Sequence, residues 1–445
     1  MKKFTFRGGI HPADSKNLTC HIKITEINPP QFLYFPLNQH LGTPAKPIVA
    51  VGDYVKMYEK IADSNGFLSA PIHSSVSGTV INIGMYPHPS GLDVETIVIE
   101  NDWLYKKAAP INTKTLDELS PAQIIEIVKE AGIVGMGGAS FPTHVKLSPP
   151  PDKKIEYIII NGAECEPYLT SDHRVMLENT EDILLGLKCV MKVFGLKKAY
   201  VAIEENKPDA IAKMKEAALD FPGIEIVTLK KKYPQGSEKH LIYAVTKRQV
   251  PSGKLPADCG CVVLNIDTVF AVKRAIFDGI PLIRRIVTVT GSGINNPANY
   301  SVPLGTRFES LIEQSGGIKE AVSKIIIGGP MMGNAVFTTD YPVLKNTSSL
   351  LFLEDKDAHL PEESACIRCG KCVIICPMHL LPLELYTYSK SNNFEELKNY
   401  DVLDCVECGS CSYICPAKRQ LIQTIRTGKQ SLSKKLRQEK EKNNG

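Results

Sequence analysis

The chain has 445 residues, of which 43% are hydrophobic and 22% charged, and its formal net charge at pH 7 is +4. This near balance, with no stretch that concentrates Lys and Arg among aromatic residues, is not typical of a nucleic-acid-binding protein. The length predicts several domains. No apolar run approaches the roughly 20 residues that a membrane-spanning helix needs, and Arg7, His11 and Asp14 leave no apolar signal-peptide core. We therefore expect any association with a membrane to go through partners.

The first hundred residues are rich in Pro, Gly and short β-branched runs. Two segments, 48–61 and 69–83, alternate apolar and polar residues around turns, which predicts strands. They resemble the barrel-sandwich hybrid of lipoyl and biotinyl domains, whose hairpin tip presents a modifiable Lys. The matching tip at 72–75 has no Lys. We therefore expect no swinging arm, and we expect His73 to be a surface turn residue.

From Ser120 the pattern changes to alternating helices and strands. Ser120 suits an N-cap and Pro121 suits the first helical position. Strands are predicted at 154–160, 199–203, 225–229 and 261–265, and helices at 180–194, 207–219, 237–246 and 268–277. This alternation predicts an α/β core with a largely parallel sheet.

From Arg285 short strands return around one predicted helix at 307–314, a pattern that resembles the soluble-ligand-binding β-grasp (SLBB) domain. A polar linker at 355–363 leads to a cysteine-rich region. The predicted fold class is thus α/β and multidomain. We expect a barrel-sandwich hybrid domain at 1–110, an α/β domain at 111–284, a β-grasp domain at 285–354, an α-helical two-cluster ferredoxin-type domain at 355–428 and a charged tail at 429–445.

The cysteine-rich region contains two runs with identical spacing, C-x-x-C-x-x-C-x-x-x-C-P. Three closely spaced thiolates can bind three corners of a [4Fe–4S] cluster, whereas the fourth Cys ligates the cluster of the other run. Zinc prefers two Cys pairs separated by a longer loop, and the pattern fits zinc poorly. We therefore assign one cluster to Cys366, Cys369, Cys372 and Cys415, and a second cluster to Cys405, Cys408, Cys411 and Cys376.

Charged residues differ between the two runs. Arg368 and Lys371 lie beside the first set of ligands, whereas Asp404 and Glu407 lie beside the second. Because local positive charge favours the reduced cluster, we expect the Cys366 cluster to have the higher reduction potential.

Two segments of the α/β region have the composition of a flavin or nucleotide site. The glycines of 132–146 (GIVGMGGASFPTHVK) would let backbone N–H groups approach a phosphate, and Lys146 supplies a charge. The segment 161–167 (NGAECEP) follows a predicted strand, at the edge where parallel sheets usually bind ligands. Within it we expect Cys165 to be a small packed residue.

The segments 135–146, 161–167 and 236–241 (GSEKHL), with Asn265, occur in the order and spacing of the FMN- and NADH-binding flavoprotein subunit of respiratory complex I. The chain resembles that flavoprotein from about residue 120 to 290. Three further features make the resemblance more specific: the opening FRGGIHP, the barrel-sandwich start and the doubled cysteine motif. Together they are similar to the RnfC family of Rnf electron-transport complexes over essentially the whole length.

The resemblance implies roles for individual residues. It implies that the FMN phosphate is held by Gly135, Gly137, Gly138 and Lys146. Asn161 and Asn265 would form hydrogen bonds with the flavin, and Phe141 would form one wall of the pocket. The flavin ring and the nucleotide hydroxyls would be lined by Glu164, Glu166 and Glu238. Three residues depart from the complex I pattern, because Met136 replaces an Arg, Ala163 an Asp and Ser237 a Glu. At these three positions the side chains available to a nucleotide differ from those of the complex I subunit. No separate catalytic side chain is expected, since the hydride chemistry belongs to FMN.

The resemblance also implies an NAD-linked oxidoreductase and translocase subunit with FMN, two [4Fe–4S] clusters and NAD(H) as substrate. Its expected partners are the other subunits of an Rnf complex. One is a ferredoxin-like cluster protein, and the others are membrane proteins that couple ferredoxin oxidation or reduction to Na⁺ or H⁺ movement. We expect a peripheral position on the cytoplasmic side of the cell membrane.

Two alternatives stay open at this point. One is a soluble cobalamin reductase built from similar modules. The other is a non-catalytic electron wire or docking scaffold with a vestigial flavin pocket, for which the departures at Met136 and Ala163 are the support.

Overall fold

The computed structural model describes residues 3–444. Its first region is a sandwich of short antiparallel strands: β2 (Phe32–Pro36), β3 (Lys46–Pro47), β4 (Tyr54–Val55), β5 (Lys60–Asp63), β6 (Ile72–His73), β7 (Gly78–Pro87) and β8 (Asp93–Asn101). One sheet has the order β2-β8-β7-β4 and the other the order β3-β5-β6. Alternate residues of β2, Leu33 and Phe35, are fully buried and lie opposite Ile99 and Ile97 of β8. The predicted alternation therefore provides the core of this sandwich.

The hairpin tip at 72–75 is buried, so the prediction that His73 is a surface turn residue is wrong. His73 is 2% exposed and pairs with Lys60 of β5. Ser75 Oγ donates to the carbonyl oxygen of Leu304, 2.7 Å away, in the neighbouring region. Burial lowers the pKa of His73 to about 3, which keeps the ring neutral. The tip is covered by a distant part of the chain, which local sequence does not reveal.

The next region is an α/β layer. Its strands are β9 (Tyr157–Gly162), β10 (Ala199–Glu204), β11 (Ile224–Leu229) and β12 (Cys261–Asn265), all parallel in the order β11-β10-β9-β12. Its helices are α1 (Pro121–Glu130), α2 (Thr143–Leu147), α3 (Ser171–Glu178), α4 (Thr180–Phe194), α5 (Pro208–Ala217), α6 (Glu238–Thr246) and α7 (Ile266–Phe277). Ser120 and Gln123 form a capping box at the start of α1. The parallel sheet is confirmed.

A mixed six-stranded sheet follows. It contains β1 (Ile24–Glu26), β13 (Arg284–Thr290), β14 (Ala298–Pro303), β15 (Val322–Ile327), β16 (Asn334–Val336) and β17 (Ser349–Glu354), in the order β1-β14-β13-β17-β15-β16. One helix, α8 (Phe308–Gln314), buries Phe308 and Leu311. The strand β1 comes from the N-terminal region and pairs in parallel with β14. This pairing connects the start of the chain to the β-grasp sheet.

The C-terminal region is helical. Its helices are α9 (Asp355–Ala358), α10 (Lys371–Ile375), α11 (Pro382–Lys390), α12 (Phe394–Asn399), α13 (Ser410–Ile414) and α14 (Leu421–Asn444). Leu385 and Leu397 are buried against Ile425 of α14. The predicted charged tail continues as part of α14. Within residues 3–444 no helix combines the length and the apolar character that crossing a bilayer requires.

Candidate functional site

Four cysteine side chains line one small cavity in the helical region. Cys376 comes from the first run, and Cys405, Cys408 and Cys411 come from the second. Desolvation by burial, with a contribution from the neighbouring thiols, raises the pKa of Cys405 to about 11. Four thiolates are therefore unfavourable here without cationic iron to stabilise them. Four cysteines that line one cavity are the ligand type and number that a [4Fe–4S] cluster needs, and we call this the inner cluster site.

The other four cysteines lie closer to solvent. Cys366 and Cys369 are exposed, and Cys372 and Cys415 are half-buried. Burial raises the pKa of Cys372, with further contributions from Cys415 and Cys369, so thiols from both runs lie near one another. We call this set the outer cluster site. The nearness of Cys415 to Cys372 and Cys369 is compatible with the predicted exchange of the fourth Cys, which stays a prediction.

The acidic residues beside the inner cluster site are paired. Glu407 accepts from Arg426 and Lys429, at 3.0 and 3.1 Å, and Asp404 lies 3.3 Å from Lys239. The difference in local charge on which the expected order of potentials rests is therefore smaller than the sequence implies. Solvent exposure of the outer site acts in the expected direction, and the order of potentials stays a prediction.

The glycine-rich loop is fixed against α7 and β13. A Cβ added at Gly137 would lie 2.8 Å from Asn265 Nδ2, so the close approach requires Gly. Met136 donates its backbone N–H to Thr268 Oγ1, 3.0 Å away, and accepts from Arg285 Nη2 at 2.8 Å. Gly138 faces open space. The loop thus presents exposed backbone from a rigid base, which fits the cradle of a phosphate.

Gly135 and Phe141 close this loop on itself. The N–H of Gly135 donates to the carbonyl oxygen of Phe141, 2.8 Å away, and Val134 forms a β-bridge with Pro142. The half-buried Phe141 therefore lies at the closed end of the loop.

Two asparagines mark the carboxyl ends of adjacent strands. Asn161, on β9, donates from Nδ2 to the carbonyl oxygen of Gly236 at 2.7 Å. Asn265, at the end of β12, caps α7 through Asp267 N and donates to Asp172 Oδ2 at 2.7 Å. Each amide nitrogen keeps a second N–H for another acceptor.

Lys146 and Glu238 meet at the same edge of the sheet. Lys146 Nζ lies 2.7 Å from Glu238 Oε1 and donates to the carbonyl oxygen of Val263 at 3.1 Å. Both side chains are partly exposed, so a polar ligand can compete for either partner. This pair brings together two residues predicted from distant segments.

Glu164 points into the protein. Its side chain is 4% exposed and lies 3.6 Å from Lys16 Nζ and 4.0 Å from Lys207 Nζ. Its Oε1 accepts from the N–H of Asp172, 2.7 Å away, near the start of α3. Burial raises the pKa of Glu164, which the two lysines oppose. Glu164 therefore supports the loop from behind, with a backbone φ of 45° in the left-handed region.

Glu166 holds the β-grasp domain against the loop. Its two carboxylate oxygens accept from the N–H groups of Met331 and Met332, at 3.1 and 2.9 Å. Burial raises the pKa of Glu166 to about 7. A Cβ added at Gly329 would clash with this carboxylate. Its oxygens contact backbone donors, which differs from the nucleotide contact that the resemblance implies.

The loop at 161–167 also contacts the inner cluster site. Cys165 packs in one apolar group with Cys408, Tyr233 and Ile10. Its Sγ accepts from the N–H of Gly236 at 3.3 Å. The expectation that Cys165 is a packed residue agrees with this position, and the packing places the loop directly beside a predicted cluster ligand.

Sequence patterns did not indicate several residues that build the site. Asp172 lies on α3, a helix that was not predicted. Lys207 is fully buried and donates to the carbonyl oxygen of Ala163 at 2.6 Å. It follows the carboxyl end of β10, so the rule that selected Asn161 applies to it as well. No sequence pattern indicated Lys16, because its position beside Glu164 depends on how the N-terminal segment folds.

Four family models match the chain in succession. They are the RnfC barrel sandwich hybrid domain over residues 4–103, the Nuo51 FMN-binding domain over 128–274, the SLBB domain over 286–335 and the 4Fe-4S dicluster domain over 365–418. The predicted order of folds is confirmed. The air-oxidised NAD⁺-reducing [NiFe]-hydrogenase has a related fold, with a TM-score of 0.51 at 18% identity over 74% of this chain and 69% of that chain.

Curated relatives match along nearly the whole chain, and each is one subunit of a redox complex. The relative from the proton-translocating ferredoxin:NAD(+) oxidoreductase complex of Clostridium ljungdahlii is 50% identical, over 95% of this chain and 93% of the relative. Its counterpart in the Na(+)-translocating ferredoxin:NAD(+) oxidoreductase complex of Acetobacterium woodii is 45% identical, over 97% and 98%. The counterpart in the ion-translocating oxidoreductase complex of Rhodobacter capsulatus is 42% identical, over 98% and 84%.

The fold and the site define a redox protein in which an FMN-binding domain is packed against a [4Fe–4S] dicluster domain. The similarity to the curated relatives along nearly the whole chain then identifies the particular family. The chain belongs to the RnfC family, whose members are subunits of ion-translocating oxidoreductase complexes.

Proposed function

We propose that this chain exchanges hydride between NADH and bound FMN and relays electrons singly through two [4Fe–4S] clusters. Bound FMN would supply the step from a two-electron donor to one-electron carriers. The observation that carries the proposal is the packing of the 161–167 loop near the inner cluster site, because Cys165 packs against the apolar group that contains Cys408. This packing supports a flavin edge close to the first carrier.

The roles of the flavin-site residues follow from their positions. Gly137 and Gly138 leave room for a phosphate beside exposed N–H groups, while Lys146 supplies positive charge when it separates from Glu238. Asn161 and Asn265 would each offer one further N–H to the flavin. Glu164 holds the loop through Lys16 and Lys207, and Glu166 ties it to the β-grasp domain.

We propose that electrons pass from the flavin to the inner cluster, held by Cys376, Cys405, Cys408 and Cys411, and then to the outer cluster, held by Cys366, Cys369, Cys372 and Cys415. The exposure of Cys366 and Cys369 supports the outer cluster as the exit toward a partner. The domain boundaries near residues 110, 284, 354 and 428 belong to the same proposal.

The relatives are subunits of ferredoxin:NAD(+) oxidoreductase complexes that translocate protons or Na⁺. We infer that this chain works in such a complex as a peripheral component on the cytoplasmic face of the membrane. It would exchange electrons with a ferredoxin-like cluster protein of the complex, and membrane proteins of the complex would couple that exchange to ion movement.

Anaerobic purification of the full-length protein tests the proposal. We expect bound FMN, two clusters per chain by iron content, and NADH oxidation with an artificial acceptor. A cluster-replete protein with neither flavin nor NADH oxidation would instead be an electron wire or scaffold. Rapid reduction of cobalamin without any membrane partner would favour the soluble reductase alternative.

A further inference from the structure

The opening motif FRGGIHP has no role in the function described above, yet its backbone lies between two domains. We define residues 4–12 as the N-terminal strap. Phe4 donates its N–H to the carbonyl oxygen of Thr228 and accepts from Lys230, both at 3.0 Å, beside the edge strand β11. Ile10 exchanges backbone hydrogen bonds with Tyr233, at 2.8 and 2.9 Å. The strap is thus fixed to the FMN-binding domain on both sides of its two glycines.

Between these anchors the strap contacts the ligand loop of the inner cluster site. The N–H of Gly9 donates to the carbonyl oxygen of Ile375, 2.7 Å away. A Cβ at Gly8 would lie 2.9 Å from the carbonyl oxygen of Cys376, and one at Gly9 would lie 2.6 Å from that of Tyr233. Both glycines have positive φ, 79° and 78°. The glycine pair therefore lies between the backbones of the two domains, where any side chain would separate them.

Side chains reinforce the same junction. The ring of Phe6 lies 4.7 Å from that of His240, centroid to centroid, and Lys232 Nζ lies 4.5 Å from the centre of Phe6. His240 Nε2 is 3.0 Å from the carbonyl oxygen of Pro377, which follows the ligand Cys376. Ile10 is buried with Cys408 in the apolar group that contains Cys165. The strap thus covers the junction between the loop at 161–167 and the inner cluster site.

We propose that the N-terminal strap is a positioning element that sets the distance between the flavin and the inner cluster and keeps water out of the junction. This inference rests on the proposed function. Gly8 and Gly9 act through backbone contact alone, since they allow the loop at 375–377 to approach the FMN-binding domain. Electron transfer slows steeply with distance, so a small separation is expected to slow this step while hydride transfer to FMN continues.

The test compares two glycine variants of the full-length holoprotein. Gly8→Ala places a methyl group against the Cys376 carbonyl. Gly91→Ala is the matched control, because Gly91 has a similar φ of 83° and a Cβ there would meet nothing within 4 Å. Each variant is measured for FMN, iron, NADH oxidation by a flavin-level acceptor, cluster reduction by NADH in stopped flow, and hydrogen exchange of peptides covering 4–12 and 373–378.

For Gly8→Ala we expect unchanged FMN, iron and flavin-level activity, cluster reduction slowed by about tenfold, and faster hydrogen exchange in both peptides. Gly91→Ala should match wild type. Cluster reduction at the wild-type rate, or unchanged exchange, in Gly8→Ala would overturn the proposal. If Gly8→Ala does not fold, Phe6→Leu replaces it, and the same slowing and faster exchange are required. A wild-type protein without NADH oxidation would instead overturn the proposed function, and the inference about the strap with it.

Discussion

Glu164, which was predicted to line the flavin site, has a carboxylate that points into the protein. Its carboxylate is buried between Lys16 and Lys207, and it also accepts from the start of α3. An unpaired buried charge is costly, so the loss of this carboxylate leaves two buried lysines with less compensation. The loop at 161–167 depends on that balance.

Glu164→Gln is therefore expected to lower NADH turnover and to reduce the free energy of unfolding by about 3–5 kcal/mol, the usual cost of breaking a buried pair. Cluster content should remain intact. The measurement is denaturant unfolding with iron and activity assays. Glu126→Gln is the control, because Glu126 forms an exposed pair with Lys129, and it should change stability by less than about 0.5 kcal/mol. Loss of clusters in Glu164→Gln would contradict the assignment of Glu164 to the flavin site.

Lys146→Ala should weaken FMN binding, because Lys146 is the cation at the glycine-rich loop. A hydrogen bond to a charged group contributes about 1.5–3 kcal/mol, so we expect roughly 10- to 100-fold weaker binding. The affinity for FMN is measured by titrating flavin-free protein with FMN and following the flavin fluorescence. Lys153→Ala, which removes a cation paired with Asp152 and Asp258, should bind FMN as wild type does. Equal affinity in both variants would contradict the role of Lys146.

In the structure Lys146 contacts Glu238, and Gly137 lies against Asn265. The sequence predicted these four residues for one site, and their roles there stay predictions. It did not reveal that Glu166 binds the backbone of Met331 and Met332. Nor did it reveal the burial of His73. Both depend on domain contacts, which local patterns do not record.

Among the structural elements, the two cysteine runs make the sharpest prediction, since each fourth Cys is assigned to the opposite cluster. Cys376→Ala should remove the inner cluster and leave the outer one, whereas Cys415→Ala should do the reverse. EPR of dithionite-reduced protein distinguishes the two clusters, and each variant is the control for the other. The opposite pattern would mean that each run holds its own cluster.

Helices and strands with strong local signals were predicted closely. The helix ending before Gly195 and the strand at 261–265 match α4 and β12. The short helices α2 and α3 were missed, because five and eight residues carry too little periodicity for a sequence pattern. The position of β1 in the β-grasp sheet could not be predicted, since it pairs with residues more than 270 positions away.

At the scale of the whole molecule, the domains are joined by a buried lysine that the proposed function does not use. Lys345 Nζ donates to the carbonyl oxygens of Pro71 and Gly132, at 2.5 and 2.7 Å, and so connects three domains. Burial lowers its pKa to about 7 from an ordinary value of 10.5. The nearby rings of His40 and His73 also have lowered pKa values, about 4 and 3, and stay neutral.

Because the unfolded chain binds this proton more tightly between pH 7 and 10.5, the contribution of Lys345 to stability should rise with pH in that range. The expected slope is roughly 1.4 kcal/mol per pH unit, flattening below about pH 7. Denaturant unfolding of wild type and Lys345→Met is measured across this pH range. The difference between their free energies of unfolding gives the contribution of Lys345. A difference that does not change with pH would show that Lys345 is not buried with a lowered pKa.

The order of the four domains was predictable because each has its own pattern of strands, helices or cysteines. Their mutual packing was not, since the apolar group of Cys165 and Cys408 and the hydrogen bond from Gly9 to Ile375 join segments far apart in sequence. The electron path proposed above runs across these contacts.

The most direct test of that path is the reduction of the outer cluster by NADH in the Cys376→Ala variant, followed by stopped flow and EPR under anaerobic conditions. We predict that NADH reduces the flavin at the wild-type rate while the outer cluster stays oxidised, although dithionite reduces it. Reduction of the outer cluster by NADH at the wild-type rate in this variant would contradict a path through the inner cluster.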